Sequence, residues 1–293
     1  HRVTDGNDDL IGFLQRAAGY SLTGNTTEHA LFFLHGSGQN GKSVFINTLS
    51  GILADYHVTA PIETFTASQS ERHPTDLAGL RGARLVSSTE TEEGRAWAEA
   101  KLKVLTGGDK VSARFMRQDF FQFTPAFKLM ISGNQKPGLK NVDNAIRRRL
   151  HLVPFAVVIP PDERDRGLSE KLKGEWPGVL KWMLEGCLAW QRQGLCPPAV
   201  VSAATEEYLS SEDTFGAWID ECCKRVPGAF TRTHDLYQSW ANWAARAGEK
   251  PGTEKDLKRN LESHMFEFKR SNSARGYVGL TIIPPADEFG FGP

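Results

Sequence analysis

The sequence is poor in cysteine, has no long apolar run and has no charge of one sign in excess. Its four cysteines (Cys187, Cys196, Cys222, Cys223) show neither C-x-x-C spacing nor an accompanying histidine pattern. That excludes a thiolate-held metal and suits thiols in a reducing cytoplasm. No stretch of about 18 apolar residues occurs, so no transmembrane helix is expected. The first ten residues are polar and acidic, unlike a signal peptide, and a start at His1 without methionine reads as a piece of a longer protein. Lys+Arg 35 against Asp+Glu 35 gives a formal charge of zero. A basic tail or a globally basic nucleic-acid binder is thereby excluded, while local basic patches stay open. Internal repeats and low-complexity tracts are also missing. With 293 residues, 40% of them hydrophobic, the chain can bury a sizeable core and suits two domains better than one.

The apolar residues that are present fall into clear periods. Leu10, Ile11, Phe13, Leu14, Ala17 and Ala18 predict a helix with Asp8 or Asp9 as N-cap and Gly19 as its stop. Ala30–Leu34 reads as a buried strand, Lys42–Ala54 as a helix, and 84–88 and 127–132 as further strands. Between these last two lie a helix at 98–105 and two short β-like runs, 111–115 and 120–123. Strand alternating with helix predicts an α/β fold with a mostly parallel sheet. A proline pair within a charge run at 158–166 marks a domain edge. Helices are expected beyond it at 168–172, 179–191, 199–209, 215–224, 233–247 and 253–264, then strands at 266–269 and 277–283. Three helices closed by a β-hairpin form the winged-helix pattern. The expected organisation is an N-terminal helical segment (1–29), an α/β core (30–160), a helical linker or lid (161–210) and a C-terminal winged-helix domain (211–293).

Gly36-Ser37-Gly38-Gln39-Asn40-Gly41-Lys42-Ser43 fits the pattern G-x-x-x-x-G-K-[ST]. It also sits where the mechanism requires, after a strand and opening a helix. Its glycines let backbone N–H groups turn inward around phosphates, and the helix N-terminus adds partial positive charge. Lys42 is placed to reach the β- and γ-phosphates and Ser43 to ligate Mg²⁺, so ATP and Mg²⁺ are the expected ligands. The strand at 84–88 runs into Glu90, Glu92 and Glu93, where carboxylates at a strand's C-terminal end face the phosphate crevice. Glu90 is the expected Mg²⁺-water partner and Glu92 the group that polarises the attacking water, with the two roles exchangeable. Asn134, at the tip of the third strand, is suited to orient water or touch the γ-phosphate.

Five segments occur in one order: Gly38–Ser43, the Ser88–Glu92 strand end, Leu105–Asp109, Phe127–Asn134, and Arg148-Arg149 with Pro154-Phe155. In this they resemble the superfamily 3 helicase domain of phage and plasmid primase–helicases, akin to the poxvirus primase–helicase, and the likeness extends to 231–237 and 275–280. The resemblance implies an AAA+ ATPase assembled as a ring, usually a homo-hexamer, with ATP between subunits. It implies translocation on single-stranded DNA with unwinding of duplex DNA, and often a primase or polymerase domain in the same full-length chain. It places the protein in the cytoplasm, that of the bacterial host if phage or plasmid encoded. It further implies an arginine finger before Pro154-Phe155. Arg147 stands where the family has an aromatic residue, so the finger is open among Arg147, Arg148 and Arg149; alignment favours Arg148.

The segment from Lys110 to Phe121 lies between the acidic strand and the Asn134 strand. The resemblance puts a DNA-gripping hairpin there, with Lys110, Arg114 and Arg117 as phosphate contacts. Such contacts are sequence-blind and salt-sensitive, as a translocating motor needs. Phe115, Phe120, Phe121 and Phe123 are expected in the core rather than as stacking platforms. Another loop ATPase, such as a packaging motor, and an origin-binding module that uses ATP only to order its assembly are the two other classes to separate. Turnover and strand displacement discriminate them.

Overall fold

A computed structural model of the chain describes residues 1–67, 75–90, 94–140, 142–270 and 274–284, with the side chain of Glu90 outside that description. The chain divides into two units, one of His1–Lys140 with Ala145–Leu209, the other of Asn141–Asn144 with Ser210–Pro293.

The first unit is built on five parallel strands: β1 (Leu31–His35), β2 (His57–Thr59), β3 (Leu85–Glu90), β6 (Lys128–Gly133) and β7 (Leu150–Pro154). Their order across the sheet is β2-β3-β6-β1-β7. Two shorter strands, β4 (Val111–Ala113) and β5 (Phe121–Phe123), pair antiparallel as a separate hairpin. The continuous apolar run of β1 is buried throughout Leu31–Leu34, as expected of a strand covered on both faces. Helices α1 (Asp8–Tyr20), α2 (Lys42–Leu53), α3 (Thr75–Ala78), α4 (Glu99–Gly107), α5 (Asn144–Arg147), α6 (Leu168–Gly174), α7 (Trp176–Gln193) and α8 (Ala199–Glu212) complete the series up to residue 212.

The cap of α1 is Asn7, not Asp8 or Asp9: its Oδ1 accepts the Leu10 N–H at 2.9 Å while both aspartates lie in the first turn, facing the helix dipole. Phe13 packs edge-on against Phe32 of β1, with ring centroids 6.0 Å apart. A Cβ at Gly19 would fall 2.1 Å from the Cys187 nitrogen, and one at Gly186 would fall 2.0 Å from the Gln15 oxygen. Helices α1 and α7 therefore meet backbone to backbone, which only glycine at both crossing points permits. Both flanking segments of the α/β core are thus packed into one unit with it.

Lys128 interrupts the apolar β6 yet is 1% exposed. Its ammonium donates to the carbonyls of Thr23, Asn25 and Ala126 and lies 4.5 Å above the Tyr20 ring, while burial and then the nearby Arg84 charge push its pKa down to about 7. His151 of β7 lies against Phe13 and Phe32, at 5.7 and 5.5 Å, and burial pushes its pKa down to about 4. An unfolded histidine takes its proton near 6.5, so between those values the unfolded chain binds more protons and stability rises with pH. We expect stability to fall as pH drops from 6.5 to about 4 and then to level off. The loss has a ceiling of about 3 kcal/mol, because the ring edge keeps some exposure. Denaturant titrations across this window should show the slope, and His151→Phe should flatten it; an equal slope in the variant would assign it elsewhere.

The second unit holds α9 (Thr214–Cys222), α10 (Thr233–Ala247) and α11 (Glu254–Ser263) with β8 (Cys223–Arg232), β9 (Glu267–Arg270) and β10 (Arg275–Ile282), the strands paired antiparallel in the order β8-β10-β9. A core of Phe215, Trp218, Trp240, Trp243, Leu257 and Tyr277 lies among them. The two expected strands are joined by a third. The helix expected to run to Lys224 stops at Cys222, because the chain from Cys223 pairs with β10 through a register shift at Gly279, φ 93°. Among the described residues no helix is long and apolar enough to cross a membrane, and all four cysteines are free thiols.

Candidate functional site

Parallel register brings the expected site segments to one end of the sheet. His35 pairs with Gly133 and with Pro154, and Glu90 pairs with Gly133. The ends of β1, β3, β6 and β7 therefore lie level, and the residues that follow them (Gly36, Asn134, Phe155) emerge at the carboxyl edge, where open α/β sheets bind ligands. Glu90 reaches this edge by its backbone. Glu92 and Glu93 lie outside the described residues.

Gly38, Gln39 and Gly41 adopt positive φ (107°, 52° and 86°), which bends the backbone through the turn before α2. A Cβ at Gly36 would fall 2.2 Å from Asn40 Nδ2 and 2.3 Å from the Phe155 oxygen, so no other residue fits there. Asn40, 2% exposed, ties the turn down: its Nδ2 donates to the Phe155 carbonyl at 2.9 Å and its Oδ1 accepts from Lys42 Nζ at 3.1 Å. The Ile159 N–H donates to the Gln39 carbonyl at 2.9 Å. Ser37 and Ser43 are exposed on the loop and at the first turn of α2.

Lys42 is 6% exposed, and its ammonium also donates to the Gly36 carbonyl at 2.7 Å and to Asn134 Oδ1 at 3.2 Å. Burial lowers its pKa. Two motif residues separated by 92 positions thus share one hydrogen bond. His35, partly buried beside them, has its pKa lowered by desolvation first and by the Lys136 and Lys42 charges next. Lys136 is a cation that motif reading missed; only the sheet register brings its loop to this edge.

The structure sorts the three arginines. Arg147 ion-pairs with Glu206 at 2.7 Å. Arg149, 6% exposed, donates to Thr106 Oγ1 at 3.1 Å and to the Ala145 carbonyl at 2.9 Å. Its guanidinium thus ties α4 to α5 through Nε and Nη1. Arg148 is exposed and has no hydrogen bond or ion pair among the described residues.

Beside the loop lies a largely apolar cavity of about 1290 Å³, bordered by Val3, Gly41, Phe45, Ile159, Leu168 and Trp182. Its floor includes the N-terminal turn, which presses on the loop so closely that a Cβ at Gly41 would lie 2.5 Å from Val3 Cγ1. Arg2 pairs with Glu163 across the same rim. Nothing in the polar sequence of the first ten residues signals this role.

In the hairpin, Arg117 is exposed at the tip with φ 60°, Lys110 is exposed at the base, and neither pairs with Asp109 or Asp119. Arg114 lies 4.8 Å over the Phe120 ring, its Nε buried without a partner. The phenylalanines do not form core as expected: Phe115 is 41% and Phe120 59% exposed, and Met116 is 70% exposed. Strands three residues long offer no second layer, so the rings stack on one another instead, Phe115 on Phe121 at 5.7 Å. Arg81, from the turn before β3, lies 5.2 Å over Phe121 and adds a cation that sequence reading did not include.

Strand order, loop and register together define a phosphate-loop-like α/β core. Residues 34–149 match a protein family of unknown function, DUF5906. The chain is 28% identical over 292 residues to a protein of Acanthamoeba polyphaga mimivirus named "putative helicase", covering 91% of this chain and 30% of that protein. It is 26% identical over 292 residues to one of Frog virus 3 bearing the same description, covering 92% of this chain and 30% of the relative. The chain thus spans 30% of the length of these curated relatives. Among solved structures it is similar in fold to the apo C-terminal region of NrS-1. The TM-score is 0.59 at 10% identity, over 96% of this chain and 74% of that one.

Proposed function

We propose that this chain is the ATP-driven helicase module of a DNA replication protein, of the superfamily 3 AAA+ class. In this reading it hydrolyses ATP between subunits of a homo-hexameric ring, translocates on single-stranded DNA and unwinds duplex ahead of it. The observation that carries the reading is the meeting of Lys42 Nζ and Asn134 Oδ1 at 3.2 Å inside a glycine-bent loop, on the sheet edge that Glu90 also reaches. Names of relatives from large DNA viruses support the helicase class, and their greater length leaves room for a primase or polymerase domain elsewhere in a full-length protein.

The residues fit a bound nucleotide. Backbone amides of Gly38–Ser43 face a cradle that the positive-φ glycines open, and Lys42 is already desolvated for a phosphate. Ser43 and Glu90 are the groups to hold Mg²⁺, which supplies neutralisation of charge on the phosphates. Asn134, released from Lys42, orients the attacking water, and Glu90 or Glu92 takes its proton as the γ-phosphoryl bond breaks and ADP leaves. The cavity beside Gly41 receives base and ribose. Arg148 acts on a neighbouring subunit's nucleotide, a role supported by its exposure and by its having no hydrogen bond or ion pair among the described residues.

The hairpin grips DNA through Lys110, Arg114 and Arg117, with Phe115 and Phe120 beside them as stacking surfaces. We expect Arg117→Ala to weaken single-stranded DNA binding and to reduce the magnitude of the salt slope by about 0.7, the share of one phosphate contact on a single strand; an unchanged slope would clear this residue of contact. The reading as a whole is tested by strand displacement on a forked duplex with ATP and Mg²⁺. Displacement with DNA-stimulated turnover is expected. Tight ATP binding with negligible turnover and no displacement would make the protein an assembly switch instead.

A further inference from the structure

From the second unit alone we infer a separate binding groove for the phosphodiester backbone of nucleic acid, formed between α11 and the β9–β10 hairpin. Lys255 and Lys258 lie three apart on α11 and so share a face. In the hairpin, Arg270 stands directly opposite Arg275, and Phe268 opposite Tyr277. Alternate residues of a strand share a face, so both arginines lie on the side that carries both rings. These six residues line a concave groove of about 670 Å³. The ammonium of Lys258 sits 5.0 Å over the Phe268 ring and links helix to hairpin across it.

Three features mark the groove as built for a polyanion. First, its charges do not balance: four cations face one acid, Glu254, which lies 4.0 Å from His234. Lys255, Arg270 and Arg275 make no ion pair among the described residues, and Lys258 has only Glu262, at 3.8 Å on the next turn. Second, like charges directly opposed across an antiparallel pair destabilise it. The Arg270–Arg275 pair is therefore unfavourable in the free protein and relieved by a bound anion. In a chain of zero net charge this excess is a local concentration, not a general one. Third, Tyr277 stands opposite Phe268 with its ring centroid 5.5 Å away, so an aromatic surface lies between the two banks of cations. Arginine forks suit phosphate oxygens, and cations in two banks about a partly exposed Phe268 suit successive phosphates of a strand better than the clustered carboxylates of an acidic peptide.

The test is fluorescence anisotropy of the whole chain without nucleotide, so its outcome does not depend on hydrolysis. The probes are labelled mixed-sequence oligonucleotides, one single-stranded and one duplex. We expect the double substitution Lys255→Ala with Arg275→Ala to weaken binding at least about tenfold and to reduce the magnitude of the salt slope by about 2 on duplex, or somewhat less on a single strand. Lys255→Arg with Arg275→Lys, which keeps the charges, should hold the slope and controls for folding. Loss confined to one probe identifies which form of nucleic acid the groove holds. Unchanged affinity and slope in the alanine variant would overturn the inference, as would a polyglutamate peptide that competes as well as unlabelled DNA, which would mark an acidic protein partner.

Discussion

Lys42→Ala should abolish ATP hydrolysis and leave the fold in place. Lys42 is 6% exposed, and its ammonium is held by the Gly36 carbonyl, Asn40 Oδ1 and Asn134 Oδ1. Among the described residues these partners are neutral oxygens, and a triphosphate is a stronger acceptor than any of them. Its loss removes a cation held at the loop, and backbone amides alone do not stabilise charge growing on the β,γ-bridging oxygen. The folding cost is about 1–3 kcal/mol, because the Gly36 carbonyl and Asn40 Oδ1 are buried and lose their donor, a cost that the good helix propensity of alanine in the first turn of α2 offsets only in part. A phosphate-release assay should read background while the melting temperature falls by about 2–10 °C and the transition stays cooperative. Wild-type turnover in this variant would remove the phosphate-loop assignment.

Arg148→Ala should cost about 10³–10⁵ in turnover, the range for an arginine that stabilises phosphoryl-transfer charge from a neighbouring subunit. Arg148 is our choice among the three because Arg147 pairs with Glu206 and Arg149 bonds to Thr106 and Ala145. A residue acting across a subunit boundary has a distinctive signature. Mixing Arg148→Ala subunits with Lys42→Ala subunits places a good finger beside a good loop in some pairs, so activity should return at intermediate ratios. Loss without rescue at any ratio would mean that Arg148 acts within its own chain or supports only the fold.

Much of this was legible in the sequence because local rules were enough. The run Leu31–Leu34 followed by glycines and Lys42-Ser43 determines strand, turn and helix within about 20 residues, and Asn134 follows from the apolar run that ends at Ser132. What escaped depends on partners distant along the chain. Lys128 looks out of place in a strand until the carbonyls of Thr23 and Asn25 fold over it. The sequence of Arg147-Arg148-Arg149 gives no sign that Glu206 pairs with the first and Thr106 with the last. The hairpin phenylalanines were expected to be core because aromatic residues usually are, and only the shortness of β4 and β5 leaves them exposed. Asp8 and Asp9 outrank Asn7 by proximity to the apolar period, yet a single hydrogen bond to Leu10 decides the cap.

The most direct test of the central claim is a structure of the chain with Mg²⁺ and a non-hydrolysable ATP analogue. The account predicts the β- and γ-phosphates cradled by the amides of Gly38–Ser43 within hydrogen-bond reach of Lys42 Nζ, with the base in the cavity beside Val3 and Trp182 and Asn134 turned from Lys42 toward the γ-phosphate. Triphosphate bound elsewhere, or a Lys42 still held by Asn134 with the loop empty at saturating analogue, would contradict it.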